Sequence, residues 1–243
     1  MCDAAAAVRL DFHEYGDAAI LADVVGGDYT RRWLLTRSLG AALSAGPHRG
    51  IVDAVASYQH VFVSFDPLIT DHDAVCAQLI DLLAEQDRSL EPRRFVVPVV
   101  FGADFGPDLA VVAQLLGTTQ EEIIHRQLCA DWTVRFVGSP LGAPMMDGPT
   151  MPGSVPRLPE PRTRVEPGSL ALSGFQSIIY NAPSPGGWQV IGRTPLRLFN
   201  LDNTPHVPYR AGDLIRFRRI SPEEWNDWDG AGDTDELVGC HQR

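Results

Sequence analysis

No apolar run in the 243 residues approaches the ~20 residues a helix needs to cross a bilayer. Cysteine is scarce: Cys2, Cys76, Cys129 and Cys240 are scattered and never spaced as metal-binding pairs. The expectation is small buried or terminal thiols in a reducing cytoplasm. Basic charge is short as well, with 20 Lys plus Arg against 31 Asp plus Glu and a net charge of −11. Nucleic acid and anionic membrane surfaces call for a basic face, so neither is an expected partner. Four alanines follow Asp3, but no basic stretch precedes them, so no secretory signal is expected. Catalytic signatures are missing too. The chain has no G-x-S-x-G elbow and no Walker loop, and its seven histidines form no ligand pair. The glycines of Gly102-Ala103-Asp104-Phe105-Gly106 lack phosphate-cradle spacing and predict a structural turn at a helix N-terminus. No metal site and no complete nucleophile-and-base set is predicted.

What is present reads as an α+β chain in two parts. In the first, Val8, Leu10 and Phe12 alternate with polar residues as a half-buried strand does, and Ala19 to Val24 predict a second. A helix is predicted over 28–43, with Leu35, Leu39, Ala42 and Leu43 on one face, ended by Gly46-Pro47. Ile51 to Val55 and Val61 to Phe65 predict two strands joined by a turn at Ser57-Tyr58-Gln59. A helix over 71–86 follows, with Val75, Leu79, Leu82 and Leu83 as its stripe. The order strand-strand-helix-strand-strand-helix predicts a small sandwich of one sheet and two helices over 1–88.

A polar, proline-bearing stretch around 87–94 marks a linker, placed at 89–94. Over 95–222 short strands, prolines and glycines have the rhythm of a closed β barrel. Phe95 to Val100 predicts a strand whose Pro98 suits a sheet edge. Gly106-Pro107-Asp108 opens a short helix carrying Leu109, Val112, Ala113 and Leu116. Thr118 or Thr119, each with a glutamate three residues on, caps the next helix. Pro185-Gly186-Gly187 predicts a tight reversal leading into a strand at Trp188, Val190 and Ile191. Beyond Glu223 the acidic, glycine-rich stretch 223–243 predicts a flexible tail.

Two loops of this half carry the candidate binding residues. Arg193 can grip a carboxylate or phosphate bidentately, or can brace two loops through backbone carbonyls. Gln176 offers a donor and an acceptor that suit an amide or urea-like group, with loop bracing as its structural alternative. Ser177 can donate a hydrogen bond but has no neighbouring base, so it is not read as a nucleophile. Tyr180 and Trp188 are packing residues or pocket walls. Arg162 lines the same cleft or faces solvent, and Asp213 after Gly212 reads as a turn residue.

These loops also carry a resemblance. Pro161-Arg162-Thr163-Arg164-Val165, Gly168-Ser169, Gly174-x-Gln176, Ile179-Tyr180, Ser184-Pro185-Gly186-Gly187-Trp188, Ile191-Gly192-Arg193-Thr194-Pro195 and Gly212-Asp213 resemble the family of the 5-oxoprolinase B subunit. That family is also called allophanate hydrolase subunit 1 or the KipI family, with carboxyltransferase subdomains C and D. Gly16-Asp17-Ala18, Phe65-Asp66-Pro67 and Gly102-x-x-Phe105-Gly106-Pro107-Asp108-Leu109 extend the likeness to nearly the whole chain. It implies a small N-terminal α/β domain and a cyclophilin-like barrel. It implies a cytoplasmic subunit of an ATP-dependent hydrolase that opens 5-oxo-L-proline to L-glutamate. The implied partners are an allophanate hydrolase subunit 2 chain, of the 5-oxoprolinase C type, and a lactam-utilisation protein, of the 5-oxoprolinase A type. ATP belongs to the complex, and no metal or biotin is expected on this chain. Two other roles are known among similar proteins: a KipI-like inhibitor of a histidine kinase, and a carboxyltransferase half-site of the urea carboxylase type. The chain departs from the family pattern where three aromatics become Ser139, Ala143 and Met145, which implies a wider, less aromatic pocket. Gln127 stands where a histidine is common, and Gln176-Ser177-Ile178-Ile179-Tyr180-Asn181 loses a loop glycine.

Overall fold

The computed structural model describes residues 7–84, 91–138, 141–149 and 151–228. Cys2, Cys240, Ser139, part of the linker stretch and the last fifteen positions, 229–243, lie outside the described residues. Two compact units divide the chain, residues 1–91 and 92–243. Among the described residues no helix is long and apolar enough to cross a membrane.

The first unit follows the strand-strand-helix order of its sequence pattern. Strands β1 (Arg9–Glu14), β2 (Ala19–Val25), β3 (Ile51–Ser57) and β4 (His60–Phe65) form an antiparallel sheet in the order β1-β2-β4-β3. Helices α1 (Tyr29–Ala45) and α2 (His72–Ala84) supply the rest of the core. Asp28 caps α1 by accepting from Arg31 N at 2.8 Å, which satisfies one orphan donor of the first turn. Ile20, Ala22, Val61, Val63 and Phe65 of the sheet pack with Leu39, Leu43, Val75 and Leu79 of the helices. The buried face of α1 differs from the expected stripe. Trp33, Thr36, Arg37 and Gly40 are buried with Leu39 and Leu43, while Leu35 is only half-buried. Gly40 explains the rotation: a Cβ there would lie 2.4 Å from the Ala56 Cβ, so the helix meets β3 at its glycine.

The second unit is a closed seven-stranded barrel. Its strands are β5 (Arg94–Phe101), β6 (Trp132–Gly138), β7 (Ala143–Asp147), β9 (Ser169–Ser173), β10 (Gln176–Ile179), β12 (Gln189–Arg193) and β13 (Leu214–Arg219). They run in the order β10-β7-β6-β13-β5-β12-β9, and β9 pairs back to β10. Every pairing is antiparallel except β5 with β13. Outside the wall, β8 (Arg162–Val165) and β11 (Ser184–Gly186) form a two-stranded ribbon. Helices α3 (Leu109–Leu115) and α4 (Gln120–Leu128) join β5 to β6. Thr119 caps α4 by accepting from Glu122 N at 3.1 Å. Alternating residues fill the interior: Phe95, Val97 and Val99 from β5 meet Trp132 and Val134 from β6 and Ile215 and Phe217 from β13.

Three local expectations are corrected. Pro98 is not at an edge, because a closed barrel has none. Val99 O accepts from Ile220 N on the β13 side, so alternation turns the missing N–H of Pro98 toward β12. Pairing between β5 and β12 begins only at Val100, so no ladder bond is lost there. Ser184-Pro185-Gly186 is strand rather than reversal. Its glycine is needed for space, since a Cβ at Gly186 would lie 2.4 Å from the Tyr180 hydroxyl. Over 223–228 the expected loose tail is instead the 3-10 turn Glu223–Trp228, whose Trp225 ring sits 4.9 Å from that of Phe105.

Asp213 does more than turn the chain. Its side chain is 1% exposed, and its carboxylate accepts from Arg93 N and Nε at 3.1 Å and from Arg210 N at 2.9 Å. The Arg93 and Arg210 side chains are 39% and 50% exposed, so removing the carboxylate leaves their charges to solvent and strands the two backbone N–H groups it accepts from, at a cost of about 1–3 kcal/mol. Asp213→Ala is expected to lower the urea-unfolding free energy of the second unit by that order. A loss under about 1 kcal/mol, the worth of an exposed ion pair, would show that the barrel closes without it.

Candidate functional site

Arg193 ends β12 at the mouth of a cleft of about 250 Å3. The cleft is walled by Pro167, Gly168, Ile179, Tyr180, Asn181, Thr194, Pro195, Leu196, Arg197, Leu198 and Trp225. Its loops interlock through their backbones. Gly168 N donates to Tyr180 O at 2.6 Å, and Thr194 N donates to Gly168 O at 2.9 Å. Gly168 has φ 80°, and a Cβ on it would lie 2.3 Å from Thr194 O, so only glycine closes this corner. Arg193 Nε donates to Pro167 O at 2.8 Å, and its guanidinium lies 5.5 Å from the Trp225 ring centroid. One N–H is thus spent on bracing a loop, and the plane of the fork is fixed against an aromatic face.

The other sequence candidates disperse. Tyr180 borders the cleft, but the residue is 4% exposed and packs with Ala143, Val165, Ala171, Ile178 and Val190. Burial pushes its phenol above the usual range, partly offset by a hydrogen bond with the Trp188 backbone. Trp188 is half-buried against the same cluster. Arg162 neither lines the cleft nor faces open solvent. Its Nη2 donates to Asp108 Oδ1 at 2.6 Å, while Asp108 Oδ2 accepts from Val190 N at 2.7 Å. This pair pins the ribbon to the barrel wall. Gln176 Nε2 donates to Asp147 Oδ1 at 3.1 Å, its neighbour across β7, and Asp147 in turn holds Arg135 at 3.0 Å. Ser177 is fully buried and donates to Ala171 O at 3.2 Å, which places it out of a ligand's reach. Gln176 and Ser177 therefore stand in the barrel wall, not with Arg193.

The altered segment also lands differently. Ala143 is fully buried under the ribbon and Met145 packs beside it, so these residues open no pocket. What the segment gives the cleft is backbone. Leu141 O accepts from Asn181 Nδ2 at 2.9 Å, and Gly142 O accepts from the Tyr209 hydroxyl at 2.8 Å. Gln127 is fully buried, and its amide has no partner among the described residues. In Gly102–Gly106 three N–H groups are committed: Gly102 N to Ile191 O, and Phe105 N and Gly106 N to Gly102 O. That loop holds the 3-10 turn Ala103–Phe105. Among the described residues no group of His, Cys, Asp and Glu could hold a metal ion.

Sequence reasoning passed over Arg197, Asn181 and Trp225. Arg197 follows Pro195 in a stretch that carries no motif, and Trp225 lies in the stretch read as tail. Asn181 stands at the end of the compared loop, and only its fold neighbours Leu141 and Tyr209 give it a place.

The family model described as "Carboxyltransferase domain, subdomain C and D" matches residues 10–209. The chain belongs to this family. Among curated proteins, the 5-oxoprolinase B subunit of Bacillus subtilis strain 168 is 28% identical over 233 residues, covering 90% of this chain and 96% of that protein. The 5-oxoprolinase B subunit of Escherichia coli O157:H7 is 33% identical over 172 residues, covering 69% and 77%. Among solved structures, the Kluyveromyces lactis urea carboxylase superposes with a TM-score of 0.71 at 18% identity. That match covers 90% of this chain and 22% of the carboxylase, and is a likeness of fold. The carboxyltransferase match takes in Arg193 and Arg197 and stops short of Trp225.

Tyr209 reports on the integrity of this corner. It is 4% exposed, and burial drives its phenol well above the usual range, offset in part by the hydrogen bond from Asn181. An unfolded tyrosine titrates near pH 10. Its folded value is raised, so the contribution is intact below about pH 10 and is lost as pH climbs above it, where the unfolded state releases its proton first. Urea midpoints measured across that range should fall steeply for the native chain and less steeply for Tyr209→Phe. Equal slopes would mean that this phenol is exposed in solution.

Proposed function

We propose that this chain is the B-type subunit of a multi-chain, ATP-dependent hydrolase that opens a cyclic amide, 5-oxo-L-proline, to L-glutamate. The names of its curated relatives support this reading. So does one observation in the chain itself: Arg193 is braced at a small cleft that, among the described residues, is lined by no Ser, Cys, His, Asp or Glu. In the reaction water adds across the lactam C–N bond: the oxygen joins the carbonyl carbon, and the nitrogen takes a proton and leaves as an amine. ATP supplies the driving force in the complex.

In this reading the chain binds and orients. Arg193 has donors on its guanidinium beyond the Nε–H given to Pro167, and these meet the substrate carboxylate. Its fixed plane sets the ring's direction, and Ile179, Leu196 and Leu198 face the ring carbons. Nucleotide and the attacking group come from the partner chains in the cytoplasm. These are an allophanate hydrolase subunit 2 protein, of the 5-oxoprolinase C type, and a lactam-utilisation protein of the A type. The committed N–H groups of Gly102–Gly106 and the buried Ser177 support that division.

The test is glutamate release from 5-oxoproline and ATP by this chain co-purified with its two partners. Release should require every chain. Arg193→Ala should raise the KM roughly 10–100-fold, as expected for a lost charged hydrogen bond, while the complex still co-elutes. Undiminished turnover without this chain would overturn the proposal.

A further inference from the structure

We propose that residues 221–228 form a strap that opens and closes over the cleft, with Trp225 as its latch on the Arg193 guanidinium. That the strap admits a substrate rests on the reading above; that it moves as a unit does not. Strand β13 ends at Arg219, and the last backbone tie to the barrel is Ile220 N, which donates to Val99 O at 3.0 Å. Beyond it, among the described residues, the hydrogen bonds stay inside the strap. Ser221 N donates to Glu224 Oε2 at 2.7 Å, and Glu224 N donates to the Ser221 hydroxyl at 3.4 Å. Trp225 N donates to Pro222 O at 3.3 Å, and a hydrogen bond from Ser221 lowers the Glu223 carboxyl below its ordinary range. The strap is thus a small element of its own, closed on itself rather than on the wall.

Ring contacts hold it down. The Trp225 ring lies 4.9 Å from that of Phe105 and 5.5 Å from the Arg193 guanidinium carbon. The Trp228 ring lies 4.7 Å from the guanidinium carbon of Arg218 and packs against the barrel core. No residue of Glu223–Trp228 is fully buried. Contacts of this kind are individually weak, and ordering the chain that carries them costs conformational freedom. Strand β13 just before it is bonded to β5 on one side and β6 on the other. An element held by rings, beside a strand held by two ladders, opens at a lower free energy than the barrel does.

The cleft feels that opening through one residue. Its other walls come from stretches 167–168, 179–181 and 193–198, whose backbones interlock at Gly168. Those walls part only by breaking hydrogen bonds, whereas Trp225 leaves by sliding a ring. Arg193 keeps its remaining ties when that happens. Its Nε still donates to Pro167 O at 2.8 Å, and Glu166 still feels its charge, although Arg164 holds both Glu166 oxygens at 2.6 and 3.4 Å. A ring attracts a guanidinium without consuming an N–H, so Trp225 and a ligand can hold Arg193 together. With the strap down, the ring shields the guanidinium from water and strengthens any hydrogen bond it makes to a ligand. Ligand binding and closure therefore favour each other.

The experiment compares the native full chain with Trp225→Ala and Trp225→Phe, with unfolding midpoints measured for all three. The five tryptophans give five indole N–H signals, and Trp225→Phe assigns the one that matters. Relaxation dispersion should show Trp225 and Trp228 exchanging at one shared rate, with Trp132 of the barrel core silent. Modification of Arg193 by phenylglyoxal, read by mass spectrometry, should be several-fold faster in Trp225→Ala and near native in Trp225→Phe. Arg216 on β13 serves as the unchanged control. In the assembled complex Trp225→Ala should raise the KM for 5-oxoproline roughly tenfold, about 1.4 kcal/mol, and Trp225→Phe should restore most of it. A silent Trp225 indole, a rate unrelated to that of Trp228, or equal Arg193 modification in native chain and Trp225→Ala would each overturn the strap. If the Trp225→Ala midpoint falls, the Trp225→Phe comparison decides: loss of the native Arg193 rate with the ring retained would overturn the latch. Should the native complex release no glutamate, the function proposed above falls, while the indole and Arg193 readouts still uphold or overturn the strap.

Discussion

Closure of the barrel depends on Asp213. The strands β5 and β13 run parallel, and no short turn can join parallel neighbours, so their register has to be set by something other than a hairpin. Asp213 sets it from just before β13. Its side chain takes the backbone and guanidinium of Arg93, while Leu214 N donates to Arg93 O. Its own carbonyl accepts from Val134 N, and Gly212 N donates to Val134 O. One residue thus indexes β13 against both of its neighbours. A slip of one place would turn Ile215 and Phe217 out of the core and Arg216 and Arg218 into it. The carboxylate is buried at this point because the alternation of three strands has to agree there.

The same economy governs the cleft. Its shape comes from backbone meeting backbone at glycine, and side chains fill what remains. Gly168 sits under Thr194 O, where a Cβ would be 2.3 Å away. Loops that meet so closely cannot drift apart without breaking hydrogen bonds, so Arg193 is presented on a fixed mount. A guanidinium already held in place loses little freedom when an anion arrives. In the proposed function that rigidity serves recognition.

Local patterns carried much of the fold. The order of the first unit was readable because each element buries one face, and Thr119 was readable as a cap because capping is a contact three residues long. Glycine and aspartate were harder. Gly186 looks like a turn because glycine has two uses, free φ and a missing Cβ, and only the fold tells which applies. Asp213 does sit at a turn, since Gly212 has φ 96°, but Arg93 lies 120 residues away. No window of sequence contains that pair. Arg193 stood out beside its glycine, whereas Arg197 and Trp225 gain meaning only from sharing a cleft with it. Gln176 and Ser177 misled for the converse reason. Polar residues in a short strand can face the wall's own hydrogen bonds as readily as a ligand.

Under the proposed function, this chain orients a substrate and leaves the chemistry to others. Catalysis needs charge placed where the transition state develops it and reactants held at contact distance, and these tasks are separable. Here the second task is built into one rigid unit. Its orienting arginine is set by Pro167 O and Trp225, groups that do not depend on any other chain. In that proposal the first task would fall to partner chains. Such a division makes the carboxylate the point of selection. In that proposal a substrate without one would enter the complex unoriented. Discrimination, in the same proposal, is made at the cleft that Arg193 borders, before the partner chains act.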